Sequence, residues 1–466
     1  MLAEVTALLR RPDQVRGGQL ETHRPWLDRR WIMAAYGAFT AYAAITAISS
    51  EGRDRIWAVC AVCGYGAAAI VLWRSRGWAV ALLVSVAAAL VAPLIWLSTA
   101  DPPAAGMAVI VRSAALLLQH GSPYLPAQQV SSWLSYNPYL PVMALFGLPR
   151  AAGLSGLAGS PALWLTLATA ALLAAVFWNA VPHPARQCSA CRRDVLACTA
   201  LAVASPVIAL NLAVTTTDPP VLALMLLALT MAARPSRVGR AGVLLGVACA
   251  MKATTWLAVP VIAAMFWSRD GARAAGRFAA TSVAAAVAII AATAPAALIN
   301  SAIVQNTVLF PLGLTRDKTP AQSLLPGHLL ATAGPVGHVV SVGLLLAAGL
   351  AVAASVVAWP PRDIPAVTRR LALGLALMFA LGPTSRFGYF IYPLGLLGWL
   401  ALTRQAASLG AYRRLAGRGQ GRRGRELERA GIQESLPTHG DQFPSRASRT
   451  ITEPNEDQIE QAERHS

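Results

Sequence analysis

The chain has 466 residues, 56% of them hydrophobic and 13% charged, with a formal net charge of +18. Soluble domains carry about 25% charged residues, so this composition excludes an ordinary soluble protein. The positive charge does not mark a nucleic-acid binder either. Its arginines sit in short loops between apolar runs and in one tail, the distribution that membrane topology produces. Lysine is confined to Lys252 and Lys318, and with so much Ala and Gly the arginine excess reads as coding bias.

Residues 1–30 are polar and Arg-rich and lack an apolar core beside a small-residue cleavage site. They read as a cytoplasmic segment, with the first span acting as an uncleaved insertion signal. Apolar runs follow at 31–49, 56–73 and 78–97, each near the roughly 20 residues that cross a bilayer. Arg24, Arg29 and Arg30 before the first run, and Arg74 and Arg76 after the second, place those ends inside. The third run then delivers Asp101 to the outer face.

A large first outer loop is expected over about 99–160. Within it, 104–119 is apolar but interrupted by Arg112, which predicts a helix lying along the interface. The stretch YNPYLPVMALFGLPR, 136–150, is short and Pro-rich and reads as re-entrant. Further spans are expected at 161–181, 195–213, before the basic RPSRVGR at 234–240, and at 278–299. Residues 241–267 have basic loops at both ends, so they are expected to form a helical hairpin with Lys252 at its outer turn. A second outer loop falls at about 300–337, and three more spans bracket Arg362, Arg369, Arg370 and Arg386. The expected fold is an all-α polytopic membrane domain over 31–403 with about twelve spans. If 136–150 crossed fully and 241–267 crossed once, Asp218 and Lys252 would change sides.

The tail at 404–466 begins strongly Arg-rich, which draws it to the anionic leaflet by about 1 kcal/mol per charge near the surface. Beyond Ala430 it is polar and mixed in charge, and disorder is expected. Two Cys-x-x-Cys pairs occur. Cys60 and Cys63 lie in an apolar span and read as packing. Cys188 and Cys191 lie in a basic loop near His183, but zinc would need a fourth ligand. A cytoplasmic loop would keep these thiols reduced.

In this topology Asp101, Arg112, His120, Asp218, Lys252, Arg316, Asp317, Lys318, His328 and Arg386 collect at the outer face. A charge at membrane depth costs about 2.5–3.5 kcal/mol, so several converging there point to a polar cavity. STADPP around Asp101 is echoed by TTTDPP around Asp218. Either carboxylate could serve as a general base, and either could simply cap a helix.

Five segments carry a family resemblance: QHGSPY (119–124), SYNPYLP (135–141), GVACAMKATTWLAVP (246–260), FPLGL followed by SLLPGHLLA (310–331), and GPTSRFGYFIYPL (382–394). Their order resembles the GT-C superfamily of integral-membrane glycosyltransferases, in particular the bacterial polyprenol-phosphate-mannose-dependent α-(1→2)-mannosyltransferases. It extends over 78–402. The resemblance implies a sugar, mannose in that branch, carried on polyprenyl phosphate and transferred with inversion at the outer face of the plasma membrane. The acceptor would be a hydroxyl of a glycolipid, lipoglycan or polysaccharide, with no cofactor and no metal. It implies Asp101 as catalytic base, with Asp218 as the alternative. Arg386, Lys252 and Arg112 would grip the donor phosphate, and Arg can do so bidentately. His120, Tyr124, Tyr136, Asn137, Tyr139 and His328 would contact substrate, although interface anchoring explains the aromatics equally well. The chain departs from the pattern in two extra leading spans and in Asn137, where related sequences read Tyr-Pro-Pro more often. A transporter or flippase of lipid-linked sugars is the rival class, and a non-catalytic assembly partner is a third.

Overall fold

The computed structural model describes residues 29–75, 78–99, 104–126, 129–180, 199–214, 217–298, 301–317, 319, 321 and 323–401. Asp101, Lys318, His183, Cys188, Cys191 and the tail lie outside these. Among the described residues the elements are helical, and seven helices are long and apolar enough to cross a membrane. The protein is therefore an all-α polytopic membrane protein. A bilayer permits this because each helix satisfies its own backbone polar groups.

Helices α1 (Arg29–Ser49) and α2 (Gly52–Ser75) form a hairpin whose turn needs Gly52 at φ 59. The third span contains α3 (Trp78–Val86), a π-helical turn at Ala87–Val91, and α4 (Ala92–Thr99). Such a turn misaligns the backbone ladder, and the Trp57 indole donates to the carbonyl of Ala89 at 2.8 Å. Gly64 makes the approach possible, since a Cβ there would lie 2.4 Å from that of Ala88. A second break, at Ser205–Pro206, opens α7 (Pro206–Ala213) after α6 (Pro161–Ala180). Pro206 cannot donate, and the Tyr65 hydroxyl satisfies the carbonyl of Ala204.

Helix α5 (Ala105–His120) covers the stretch expected to form a helix between the third span and the re-entrant segment. Its buried Met107, Ile110 and Ala114 repeat at helical spacing, while Leu118, Gln119 and His120 are exposed. It ends at Gly121, φ 64, whose N–H bonds Leu117 O at 3.0 Å, a left-handed stop that suits glycine. Against it packs the 3₁₀ segment Pro141–Gly147, continued by one α turn at Leu148–Ala151. At about 2 Å per 3₁₀ residue this segment is too short to cross about 30 Å of hydrocarbon. Its Pro141–Ala144 and Gly147 are buried against neighbouring helices, while Leu145 and Arg150 are exposed.

The packed centre is made by α8 (Asp218–Ala232), α9 (Val238–Met251), α10 (Ala258–Asp270) and α11 (Ala272–Thr293). Every residue of α8 is buried. Helices α9 and α11 run parallel and close. A Cβ on Gly242 would meet Thr281 Oγ1 at 2.0 Å, and one on Gly246 would meet Ser282 O at 2.5 Å. Two glycines four apart let backbones approach without a side chain between them, the device membrane helices use where no hydrophobic drive exists. Between α9 and α10 lies a 3₁₀ turn, Ala253–Leu257.

Cross-links define two ends. Arg237 donates to Asn179 Oδ1 at 3.2 Å, Arg269 to Ala232 O at 3.1 Å, and Ser268 to Pro361 O at 2.6 Å. The C-terminal ends of α6, α8 and α10, the starts of α9 and α11, and the turn between α12 (Pro335–Ala358) and α13 (Ile364–Leu381) thus share one arginine-rich end. Both arms of the 241–267 segment return to it, as a hairpin requires, with Lys252 at the far end. There α12 and α13 meet through Ser341 Oγ and Leu381 O, 2.9 Å apart, and the last helix, α14 (Phe387–Ala401), begins.

Candidate functional site

The end opposite the arginine-rich loops is built from non-helical segments laid over helix termini. Lys252 is the residue that ends α9, and its backbone has already turned extended (φ −151, ψ 134). The Leu140 N–H bonds the carbonyl of Met251 at 3.0 Å. The first loop is thereby stitched to the helix break. Asp218 opens α8, where the positive end of the helix dipole favours a carboxylate. Asp and Lys, 34 positions apart, meet here: Lys252 Nζ donates to Asp218 Oδ1. The Tyr392 hydroxyl donates to the same oxygen at 2.8 Å. The two side chains are 11% and 4% exposed, so this is a buried ion pair.

An aromatic box surrounds the ammonium. Its nitrogen lies 4.8 Å from the centre of the Tyr389 ring and 5.7 Å from that of Tyr392. Ring faces carry negative potential and attract a desolvated cation. Tyr139, from the first loop, lies within electrostatic reach of Lys252 and Asp218 and hydrogen-bonds with Thr217. Burial of an ion pair is tolerated only when the remaining polar valences are matched, and the phenols do that.

Arg386 is exposed at the start of this last segment, within electrostatic reach of Asp54 and Tyr389. The adjacent Arg53 donates to the carbonyl of Leu97 at 2.8 Å, at the end of the span that precedes Asp101. The loop 382–386 is held by backbone bonds of 3.0 Å from Ser385 N to Ala321 O and from Ser323 N to Ser385 O. His328 Nδ1 lies 3.1 Å from Pro383 O. The two loops expected to face one side therefore share one end with Asp218, Lys252 and Arg386.

Several residues expected to contact substrate have partners within the protein. The Arg112 guanidinium donates to the carbonyl of Leu134, and to those of Ser135 and Tyr136 at 3.1 and 3.3 Å. It collects the orphan carbonyls of the short 3₁₀ turn Trp133–Ser135, which leaves little of its fork for a phosphate. Tyr136 is 3% exposed and stacks face to face on Phe310, centroids 4.3 Å apart. Asn137, also 3% exposed, receives Tyr139 N at 3.0 Å and gives its own N–H to Asn306 Oδ1 at 2.6 Å. The Tyr124 hydroxyl donates to Tyr139 O at 2.9 Å. Burial pushes that phenol's pKa up. Tyr136 and Asn137 thus fasten the first loop to the second, and Tyr124 braces the first loop on itself. Their short, Pro-constrained backbone cannot satisfy itself with a helical ladder. His120 stays exposed at the end of α5.

Asp218 was expected either as a base or as a helix cap. Its carboxylate serves neither the cap amides nor an open face; it anchors Lys252 and Tyr392. Tyr389 and Tyr392 escaped the sequence reading, although three-residue spacing beside Arg386 puts both on one helix face. Asn306, Arg53 and Asp54 had no local signature. Among the described residues no group of His, Cys, Asp and Glu could hold a metal ion.

Fold and site together define a polytopic α-helical membrane protein with a buried ion pair at the end away from its basic loops. Comparisons of the chain with protein-family models, with curated proteins and with solved structures return no match.

Proposed function

We propose that the protein is a membrane glycosyltransferase that moves a sugar, mannose by the resemblance, from a polyprenyl-phosphate donor to a hydroxyl of an outer-face acceptor. The carrying observation is the convergence of Lys252, Asp218, Arg386 and the first-loop Tyr139 at the end opposite the arginine-rich loops. The positive-inside rule then assigns that end to the extracytoplasmic side of the plasma membrane and both termini to the cytoplasm. About twelve spans fit this reading, the seven long helices being supplemented by shorter apolar ones such as α8 and α14.

The reaction uses Asp101 as base. Its carboxylate takes the proton of the acceptor hydroxyl as that oxygen bonds the anomeric carbon. The bond from that carbon to the lipid phosphate breaks, and the phosphate leaves with the electron pair. Exposed Arg386 stabilises the charge developing on it. The buried Asp218–Lys252–Tyr392 unit supports the segment that carries Arg386, so Lys252 acts through position.

The test is transfer from radiolabelled polyprenyl-phosphate sugars by purified protein. Asp101→Asn is expected to abolish transfer while the protein remains folded, and Arg386→Ala to raise the donor KM more than the acceptor KM. Unchanged turnover of Asp101→Asn removes Asp101 from the role. A transporter or flippase is the second reading, favoured by the helix break at Lys252 beside a buried charge pair, since transporters bind at broken helices. Movement of a fluorescent lipid-linked sugar across proteoliposomes without glycosidic product decides for it.

A further inference from the structure

Arg386 stands at the cap position of α14, with extended backbone (φ −128, ψ 145) and no side-chain cap bond. The first amides of a helix have no acceptor within it, and a guanidinium only donates. Arg386 therefore cannot serve the amide that follows it. Ser323 does so from the second loop: its Oγ accepts the Phe387 N–H at 3.2 Å. The same residue gives its own N–H to Ser385 O at 3.0 Å, and its carbonyl accepts the Leu325 N–H at 2.6 Å. Ser323 thus holds the backbone on both sides of Arg386 and spends each of its own polar groups in doing so. The bond from Ser385 N to Ala321 O, also 3.0 Å, closes the grip. Further back along the segment, the Thr384 hydroxyl donates to Pro311 O and the Ser341 hydroxyl to Leu381 O. The neighbours of Arg386 are fixed while its side chain stays exposed.

We propose that Ser323 is a positioning residue for Arg386, setting the guanidinium where it meets the phosphate of the donor lipid; this rests on the role given to Arg386 above. Two parallel bonds to a phosphate require the planar fork to arrive in one orientation. A long side chain on a loose backbone loses more freedom when it binds, and that loss weakens binding. Ser323 acts through the backbone at 385 and 387, not on the donor.

The experiment measures binding of sugar-free polyprenyl phosphate, the leaving group of the proposed reaction, to the purified full chain, together with amide exchange at Phe387. Ser323→Ala deletes the Oγ acceptor and keeps the backbone bond to Ser385. It is expected to speed exchange at Phe387 and to weaken polyprenyl phosphate binding about fivefold. The donor KM should rise by the same factor while the acceptor KM holds. Ser323→Thr keeps the hydroxyl and should restore both binding and exchange. In an Arg386→Ala background Ser323→Ala should cost no further binding, because its effect runs through that side chain. Thr332→Ala is the control, since that hydroxyl bonds only carbonyls of its own helix, and it should change nothing. Undiminished binding by Ser323→Ala overturns the proposal, as does an equal loss in the Arg386→Ala background or in the Thr332→Ala control. A wild-type protein that binds no polyprenyl phosphate overturns the donor reading itself, and this proposal with it.

Discussion

Replacing Lys252 with Met keeps the side-chain length and removes the charge. Asp218 then stays buried at 3% exposure with the Tyr392 hydroxyl, 2.8 Å away, as the contact that remains to Oδ1. Breaking a buried ion pair by removing one partner costs about 3–5 kcal/mol, because the other charge is left uncompensated. Both groups are nearly fully buried, so solvent offers no screening that would shrink the figure. The Tyr389 and Tyr392 rings also lose the cation they face at 4.8 and 5.7 Å. Against a total stability of about 5–15 kcal/mol, Lys252→Met should lower the unfolding midpoint strongly. Adding Asp218→Asn removes the stranded charge, and the double variant should recover to within about 1–2 kcal/mol of wild type. The assay is reversible denaturant unfolding of the purified protein in mixed micelles, read as a double-mutant cycle. A single variant within about 1 kcal/mol of wild type, or a double variant no better than the single, refutes the argument.

Gly246→Val should destabilise by about 1–3 kcal/mol, since its Cβ would lie 2.5 Å from Ser282 O and 2.7 Å from Ala285 Cβ. Gly276→Ala, with open space around its Cβ, should be neutral or stabilising by up to about 1 kcal/mol; thermal unfolding of the two variants checks the contrast. Asn306→Ala removes the acceptor of the buried Asn137 N–H and should cost about 1–3 kcal/mol. The same change should loosen the first loop, measured as faster amide exchange at 137–140 relative to α8. Single cysteines at exposed Leu314 and Arg240 should label from opposite sides of intact cells, position 314 with an impermeant reagent and position 240 only after permeabilisation. Labelling of both from outside would overturn the assigned orientation.

Much of the architecture was legible in the residue pattern because a bilayer enforces it locally. Each apolar run must be long enough to span or must lie at the interface, and arginines mark one side. Hence the helix at Ala105–His120, cut by Arg112 in sequence, and the two arms of 241–267 returning to the basic end follow from hydropathy and charge alone. The seven long helices among the described residues follow the same rule. No local composition announces the ladder break at Ala87–Val91, and the charge pattern marks the one at Lys252 only as a turn. Distant groups complete the bonding at both, the Trp57 indole on the carbonyl of Ala89 and the Leu140 N–H on that of Met251.

The sequence by itself determined what the solvent demands: an all-helical membrane domain, the arginine-rich loops between its apolar runs, and a set of charged side chains outside those loops. Only the tertiary structure decided which of those groups neutralise one another. Asp218 is 34 positions from Lys252 and 174 from Tyr392, and nothing in local propensity selects such partners. A buried carboxylate takes whichever donors the packing of α8, α9 and α14 brings within reach. The same packing turned the Arg112 and Asn137 side chains onto backbone groups of the proline-constrained first loop, and stacked Tyr136 on Phe310.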